Sequence, residues 1–216
     1  MAAELPEQYE ARRRFFNEHA EHWLEMWYPD GDTGGTARFA AQFDRLCEAV
    51  PLRPGDHVLD VGCGTGVLVP HLLARIGEEG VLYELDYAER MIAVNRRMHD
   101  RPNIRFLVAD VLEAPVPAAS CSAVFCFSCF PHLADKAAAL AAMSAALKPE
   151  GYLAIAHFAS SEELARHHQG SSPVSHDCLP EEATMRALIA GAGLEWLQFV
   201  DEPGFYLVLA RKPGAA

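Results

Sequence analysis

The most informative stretch of the sequence is the run VLDVGCGTGVL, from Val58 to Leu68. Its glycines, Gly62, Gly64 and Gly66, allow the backbone to turn sharply and to approach a ligand where a Cβ would collide. A helix-like segment follows, and the unpaired N–H groups at a helix N-terminus can bind a polar ligand. The run therefore predicts a site for a flat, polar, nucleotide-like molecule.

The residues around these glycines narrow the choice of ligand. A phosphate-binding loop requires Lys followed by Ser or Thr, but this loop continues with Val67 and Leu68. A dinucleotide loop has the pattern G-x-G-x-x-G, and here the third glycine, Gly66, comes one position early. The Asp60 carboxylate repels a pyrophosphate and attracts a cation. S-adenosylmethionine has a sulfonium and an ammonium group and no phosphate, so the electrostatics favour it.

The run resembles motif I of the class I S-adenosylmethionine-dependent methyltransferases, and later segments match this family in order and spacing. The resemblance covers roughly Leu52 to Lys212. It implies an enzyme that methylates a small molecule, with S-adenosylmethionine as cofactor and S-adenosylhomocysteine as product. It assigns Asp60 and the glycine loop to the methionine part of the cofactor. Cys63 lies inside this loop, and we interpret it as a packing residue within the cofactor site.

The end of the second predicted strand offers a carboxylate for the ribose. Asp86 lies twenty residues beyond Gly66 and can accept hydrogen bonds from both vicinal hydroxyls. Glu84, on the same strand face, is the alternative for this role. Tyr87 and Met91 follow where the resemblance implies residues packed against the adenine.

The third and fourth predicted strands end in further candidates. The resemblance implies that the Asp110 carboxylate accepts a hydrogen bond from the adenine amino group while the Val111 N–H donates to the ring. In the alternative interpretation, Asp110 caps a turn. The fourth strand ends at Phe127, which we include among the cofactor-binding residues, and in this fold the methyl acceptor approaches here.

Methyl transfer is an in-line displacement that requires mainly alignment of the reactants, and a base is needed only when the nucleophile arrives protonated. His132 and His157 are the candidate catalytic residues, since histidine titrates near neutral pH. The alternatives are that His132 caps the helix starting near Asp135 and that His157 only packs.

A histidine-rich segment follows the fifth strand. His157, His167, His168 and His176 lie within twenty residues, and imidazoles are common ligands of transition metals. Their spacing matches no established pattern, so we predict no metal site and keep these four as its candidates; a metal-assisted or thiol-directed methyltransferase remains an alternative. Cys126 and Cys129 pair only if the strand breaks at Ser128; core filling is the better interpretation of Cys126.

Strands and helices alternate from His57 onward, which predicts an α/β, Rossmann-like fold with a mostly parallel sheet covered by helices on both faces. The last two strands are joined by a short turn and predict a terminal antiparallel hairpin. The predicted strands are His57–Val61, Val81–Leu85, Ile104–Val108, Ala123–Phe127, Tyr152–Phe158, Glu195–Val200 and Phe205–Ala210. Helices are predicted between them at about 67–76, 88–99, 135–147 and 180–192.

The first fifty residues predict a helical extension, with helices at Leu5–Tyr28 and Ala37–Ala49. Phe16, Trp23 and Trp27, with Tyr28, form an aromatic stripe that either covers the site as a lid or packs on the sheet. We predict residues 1–50 as this extension and 51–216 as the S-adenosylmethionine-binding domain. The triplet Arg12 to Arg14 is interpreted as a solvated helix face.

Composition limits the partners and the compartment. The formal net charge of −12 argues against nucleic acid, because phosphate binding requires a basic surface. No apolar run is long enough for a membrane span, and the acidic N-terminus is not a secretory signal. Six irregularly spaced cysteines indicate reduced thiols, so we expect a cytoplasmic protein. The acidic charge and the short chain favour a small-molecule acceptor. A protein that binds the cofactor without catalysis is the rival function, and the oligomeric state is unknown.

Overall fold

A computed structural model describes residues 6–27, 39–167, 174 and 177–214. It contains a seven-stranded sheet with the strand order β3-β2-β1-β4-β5-β7-β6. The pairs among β1 to β5 are parallel, while β7 pairs antiparallel with both β5 and β6. The predicted Rossmann-like sheet with its terminal antiparallel hairpin is confirmed.

The strand bounds follow the predicted ones closely, with one larger difference. The fifth strand begins five residues before the predicted start, because Leu147 pairs with Cys121 before the register shifts and regular pairing resumes at Tyr152. The seven strands are β1 His57–Val61, β2 Val81–Asp86, β3 Ile104–Val108, β4 Cys121–Phe127, β5 Leu147–His157, β6 Glu195–Glu202 and β7 Phe205–Arg211.

The helices of the sheet region all form, and one more is present than the sequence predicted. A short helix, α7, follows β5 in the histidine-rich segment. The first predicted helix is broken by a 3-10 turn at Ala20–His22, and the positions of Tyr28 and Ala37 lie outside the described residues. The helices are α1 Pro6–His19, α2 Trp23–Trp27, α3 Ala40–Ala49, α4 Val69–Ile76, α5 Glu89–Met98, α6 Lys136–Ala146, α7 Ser161–His167 and α8 Glu182–Gly191. None of these described helices is long and apolar enough to cross a membrane.

Alternation along the strands produces a core on each face of the sheet. On β4, Val124 and Cys126 point to the face covered by α6 and α8, while Ala123 and Phe125 point to the face covered by α3 and α4. Both faces are therefore buried, as expected for a parallel sheet.

The order of the strands in the sheet determines where the ligand crevice lies. The chain leaves β1 toward β2 on one side, and β4 lies on the other side of β1, so the strand order reverses between β1 and β4. In open α/β sheets, ligands bind beyond the carboxyl ends of the strands at such a reversal. The glycine loop after β1 and residues 127–132 after β4 are at this position.

Candidate functional site

The glycine loop after β1 has the left-handed backbone that its sequence predicts. Gly62, Gly64 and Gly66 have φ values of +68°, +54° and +86°. A Cβ on Gly62 would lie 2.2 Å from the Cys129 Sγ, and one on Gly66 would lie 2.3 Å from the Asn95 Oδ1. Gly62 and Gly66 are thus needed for packing within the protein. Of the three, only Gly64 has open space where a Cβ would be, with the Trp23 Nε1 as its nearest neighbour at 3.8 Å. The predicted sharp turn is present at all three glycines, and the close approach of a ligand stays a prediction.

The carboxylate at the end of β2 is joined to this loop. Asp86 is buried, and its Oδ2 accepts a hydrogen bond from the Gly64 N–H at 3.0 Å. Its Oδ1 accepts from the Ala88 N–H at 2.8 Å, just before α5 begins. Asp86 therefore holds the loop and the start of α5 together while it lines a cavity bounded by the glycine loop.

Glu84, the alternative for the ribose role, lies behind this cavity. It is fully buried, and its Oε2 accepts a hydrogen bond from the Asn95 side chain at 2.6 Å. The same Asn95 amide donates to the Cys63 Sγ at 3.5 Å, so Cys63 belongs to a packed buried network. Asp86 lines the cavity wall, whereas Glu84 does not.

We call this space the loop cavity. The predicted cofactor-binding residues that line it are Asp60, Gly62, Cys63, Gly64, Asp86, Tyr87, Met91, Asp110, Val111 and Phe127; of the predicted set, only Gly66 does not. Residues from five separate segments thus meet at one edge of the sheet.

Buried carboxylates give this edge a strong electrostatic character. Burial, with the charges of Glu84, Cys129 and Asp86, raises the pKa of Asp60 well above its usual range. Burial raises the pKa of Glu84 to about 7, although hydrogen bonds from Asn95 and Cys63 oppose this. Burial also raises the pKa of Asp86 to about 6, although hydrogen bonds from neighbouring backbone N–H groups lower it. A cation in the loop cavity would relieve these unfavourable charges.

Asp60 provides the most direct test of whether the expected cofactor fits. Its Oδ1 is buried and has no hydrogen-bond partner among the described residues. The Thr65 hydroxyl, which also lines the loop cavity, is likewise buried and has no hydrogen-bond partner among the described residues. Polar atoms buried in this way normally have partners. A ligand with an ammonium and a sulfonium group supplies both hydrogen-bond donors and positive charge, so the residues present fit S-adenosylmethionine.

Asp110 already has contacts within the protein. Its Oδ1 accepts a hydrogen bond from the Leu112 N–H at 2.9 Å and starts the 3-10 turn at Val111–Glu113. The turn-capping interpretation is therefore seen in the structure. Its Oδ2 accepts from the Tyr9 hydroxyl at 3.0 Å, and burial, together with this bond, raises the pKa of Tyr9. The adenine-binding role of Asp110 stays a prediction.

The N-terminal helix α1 lies across the loop cavity. The Arg13 side chain donates to the Tyr87 carbonyl and to Glu89, both at 3.1 Å, and Phe16 packs edge-on to Tyr87. Interpreting Arg12 to Arg14 as a solvated face was wrong for two of the three, because Arg12 is buried and Arg13 is half-buried. The folded domain presents carboxylates and carbonyls that these guanidinium groups bind, and only Arg14 is exposed.

His132 is held in a buried polar contact. It lies in a 3-10 turn after β4, and its Nδ1 is 2.7 Å from the Asp177 Oδ2. Asp177 also receives two hydrogen bonds from Arg12. The alternative that His132 caps α6 was wrong, because the Asp135 side chain is the cap and accepts from the Ala138 N–H.

A second space, which we call the aromatic cavity, has a volume of about 410 Å³. Phe16, Trp23, Ser128 and His132 line both this cavity and the loop cavity, so the two adjoin. Its aromatic wall residues come from the first forty residues and from the residue just after β5: Phe15, Phe16, Trp23, Trp27, Phe39 and Phe158.

His157 lines the aromatic cavity at the end of β5 and is buried, with its ring centroid 6.3 Å from that of Tyr206. The other metal candidates are not described in full, because His168, His176 and the His167 side chain lie outside the described residues. Within the described ranges, no group of three or more His, Cys, Asp or Glu residues could hold a metal ion.

Cys126, on β4, and Cys129, just after it, meet the condition for pairing that was predicted from the sequence. β4 ends at Phe127, and Ser128 has a φ of +52°, so the strand breaks there. Cys126 is fully buried, as core filling predicts, and a hydrogen bond with Cys129 raises its pKa. Cys129 lines the loop cavity.

Sequence reasoning missed three site residues: Tyr9, Arg12 and Asp177. The Tyr9–Asp110 and Arg12–Asp177 contacts each join residues more than a hundred positions apart, so no local sequence pattern could predict them. The available signal was the polar face of α1, which carries Tyr9, Arg12 and Arg13 beside aromatic residues.

Comparisons with known proteins agree with the predicted family. The model of the family described as Methyltransferase domain matches residues 58–151. The ubiquinone/menaquinone biosynthesis C-methyltransferase UbiE of Vibrio campbellii is 30% identical over 206 residues, which cover 83% of this chain and 79% of that protein. The corresponding protein of Teredinibacter turnerae is 31% identical over 134 residues, 60% of this chain and 53% of its own length. This chain thus spans about half the length of that second relative.

A solved structure supports the fold. One chain in the complex between the Haloferax volcanii Trm112 methyltransferase activator and a methyltransferase superposes with a TM-score of 0.75. The match covers 92% of this chain and 97% of that chain, at 21% sequence identity. At this identity the likeness concerns the fold alone.

Proposed function

We propose that this chain, which belongs to the class I S-adenosylmethionine-dependent methyltransferases, uses S-adenosylmethionine as its methyl donor. The proposed acceptor is a flat, aromatic, hydroxyl-bearing small molecule that binds in the aromatic cavity. The observation that carries this proposal is the common wall of the two cavities. Phe16, Trp23, Ser128 and His132 line both, so an acceptor in one lies beside a methyl donor in the other. Alignment of this kind is the main requirement of methyl transfer.

The lining supports an aromatic acceptor. Six aromatic rings surround a volume of about 410 Å³, which is within the range of small-molecule sites. Aromatic rings pack against one another in offset or edge-on arrangements, and such pairs contribute about 0.5–1.5 kcal/mol beyond the area they bury. The polar groups are few, and the imidazoles of His132 and His157 are the ones suited to orient or deprotonate a hydroxyl group.

The cofactor would be held by residues of the loop cavity. Asp60 supplies a buried carboxylate for its positive end, Gly64 offers an open backbone, and Asp86 supplies a carboxylate for the ribose hydroxyls. Tyr87 and Met91 flank the adenine, and Gly62, Gly66 and Cys63 maintain the loop. When bound, S-adenosylmethionine supplies an electrophilic methyl group on a sulfonium.

His132 is the proposed general base. Its Nδ1 is bound to the Asp177 carboxylate, so the lone pair of the neutral ring is on Nε2 and can accept a proton from an acceptor hydroxyl. The α1 and α2 aromatic residues exclude water from the reacting groups, which is the predicted lid role. His157, at the far wall, orients the acceptor or serves as the base for a differently placed hydroxyl.

Deprotonation of an aromatic hydroxyl prepares either of two methylation sites. The negative charge of a phenolate is shared between its oxygen and the ring carbons beside it, so one base prepares both O- and C-methylation. After C-methylation the oxygen takes back a proton, and the proton of the methylated ring carbon is released to the base. Two relatives matched over 60–83% of this chain carry the name C-methyltransferase, which favours a carbon nucleophile.

The test is an acceptor screen that measures S-adenosylhomocysteine release. Catechol and 1,4-naphthohydroquinone represent the proposed class, while glycine and a simple alkylthiol represent other nucleophiles. We expect turnover with the aromatic hydroxyls, and mass spectrometry with NMR of the product identifies the methylated atom. Methylation of the amine or thiol alone, or cofactor binding with no turnover, would contradict the proposal.

Variants test the role of the two histidines. Replacing His132 by Ala should lower kcat about 10²- to 10⁴-fold, the usual contribution of a general base. Replacing His22, an exposed histidine on the N-terminal 3-10 turn, is the matched control and should leave kcat unchanged. If His157→Ala has the larger effect on kcat, the base is His157.

A further inference from the structure

Arg12 and Asp177 form a buried ion pair between the two ends of the chain. The Arg12 Nε and Nη2 donate to the two carboxylate oxygens of Asp177 at 3.0 and 2.9 Å. Each side chain is only 9% exposed, and 165 residues of chain separate them. Bidentate Arg–carboxylate contacts fix geometry as well as adding energy, so this pair ties α1 to the segment before α8.

The same carboxylate holds His132. The Asp177 Oδ2, which accepts from Arg12, lies 2.7 Å from the His132 Nδ1. An ionised carboxylate can only accept, so the Nδ1 carries the proton and donates it. One carboxylate thus binds a residue of α1 and a residue that lines both cavities.

We propose that Asp177 is a positioning residue that fixes the tautomer and ring plane of His132 and also anchors α1, so that α1 covers the cavities and His132 becomes aligned in a single event. This inference rests on the proposed role of His132 as the base. It adds a residue that touches neither cavity, because Asp177 lines neither the loop cavity nor the aromatic cavity.

The charges around Asp177 keep it ionised. Burial raises its pKa, but the hydrogen bond from His132 and the charges of His132 and Arg12 outweigh this effect and hold the pKa below its usual value. Lys136, at the start of α6, adds positive charge on another side. The permanent positive charges near Asp177 therefore come from α1 and α6, while His132 donates its Nδ1–H from the turn after β4.

Arg13 provides a matched control on the same helix. It anchors α1 through the Tyr87 carbonyl and Glu89, and its polar contacts among the described residues are with these two and Glu10 rather than with Asp177 or His132. Replacing Arg13 by Ala loosens α1 without touching the carboxylate that holds His132, which separates loss of the anchor from loss of histidine orientation.

The experiment uses the full chain with S-adenosylhomocysteine added. Two-bond ¹H–¹⁵N correlation spectra report which nitrogen of His132 is protonated, and the His132→Ala variant assigns its signals. Amide hydrogen exchange reports the opening of α1. Both measurements are made for the wild type, Asp177→Asn and Arg13→Ala, and Asp177→Glu serves as the charge-conserving variant.

We expect Asp177→Asn to lose the fixed Nδ1 protonation of His132 and to raise exchange in α1 at least about tenfold, as loss of charged hydrogen bonds predicts. Arg13→Ala should raise exchange in α1 alone, and Asp177→Glu should restore the His132 signature. Unchanged His132 signals in Asp177→Asn would overturn the inference. Equal disturbance of these signals by Arg13→Ala would overturn it too, since the effect would then be general loosening.

Turnover separates this inference from the proposed function. With 1,4-naphthohydroquinone as acceptor, Asp177→Asn should lower kcat at least about tenfold more than Arg13→Ala does, because only Asp177 holds His132. Loosening of α1, which lines the loop cavity, should raise the KM for S-adenosylmethionine in both variants. Full activity of His132→Ala, with the His132 tautomer still altered in Asp177→Asn, would refute the base and retain Asp177 as the residue that positions His132.

Discussion

Lowering the pH should weaken the binding of S-adenosylmethionine through Asp86. This carboxyl lines the loop cavity, and burial raises its pKa to about 6. The unliganded protein therefore takes up a proton at Asp86 as the pH falls through about 6. Ribose hydroxyls donate to the ionised form, and a sulfonium is attracted by it, so binding lowers the pKa and releases that proton. Affinity accordingly rises with pH across this range.

The size of the effect follows from the fraction of ionised carboxyl. If the cofactor binds only when Asp86 is ionised, a pKa of about 6 predicts that the dissociation constant rises about tenfold between pH 7 and pH 5. This change corresponds to about 1.4 kcal/mol of binding free energy. Above pH 7 nearly all of the Asp86 carboxyl is ionised, so Asp86 should contribute no further change in affinity there.

Isothermal titration calorimetry at a series of pH values, in buffers of different ionisation enthalpy, measures both the affinity and the proton release. Asp86→Asn is the control, because it keeps the size of the side chain and all ten histidines but cannot titrate at this position. The variant should bind more weakly at pH 7 and lose the part of the pH dependence that Asp86 contributes, while the part due to Asp60 and Glu84 remains. The same pH slope in Asp86→Asn as in the wild type would refute the reasoning.

Three further predictions concern single residues. Gly62→Ala should destabilise the protein by about 2–4 kcal/mol more than Gly193→Ala in urea unfolding, because both have φ near +70° but only Gly62 has a side chain 2.2 Å from the added Cβ; equal losses would contradict this. Asp60→Asn should raise the Tm of the ligand-free protein at pH 8, where the raised pKa makes ionisation unfavourable, and should weaken cofactor binding; a lower Tm would be evidence against this. Trp23→Ala should raise both the Kd of S-adenosylmethionine and the KM of the acceptor, since Trp23 lines both cavities, whereas Trp196→Ala, distant from them, should change neither constant.

Much of the fold was predictable because its signals are local. The bounds of β1 and β3 agree with the prediction to the residue. Both strands can be predicted from neighbouring residues alone, because each is a short apolar run flanked by turn residues. The choice of Asp86 over Glu84 for the cavity wall also follows from position, because Asp86 is the last residue of β2.

What the sequence could not provide are contacts made across the fold. Arg12 in a basic triplet is typical of a solvated helix face, and only the folded chain brings Asp177 to it. The early start of β5 depends in the same way on the pairing of Leu147 with Cys121. The packing role of Gly62 and Gly66 was not predicted, because the side chains that exclude a Cβ there are those of Cys129, after β4, and Asn95, on α5.

The positions of the six aromatic residues that line the aromatic cavity bear on how acceptor preference could differ between relatives. All six lie before residue 58 or after residue 151, outside the segment that the family model matches. The proposed cofactor residues, from Asp60 to Phe127, all lie inside it. Under the proposed assignment, the aromatic wall and the cofactor residues thus belong to different stretches of chain, and of the described lining of the aromatic cavity only Ser128 and His132 lie in the matched segment. Exchanging the flanking segments between relatives would then change which acceptor fits while the donor site is kept.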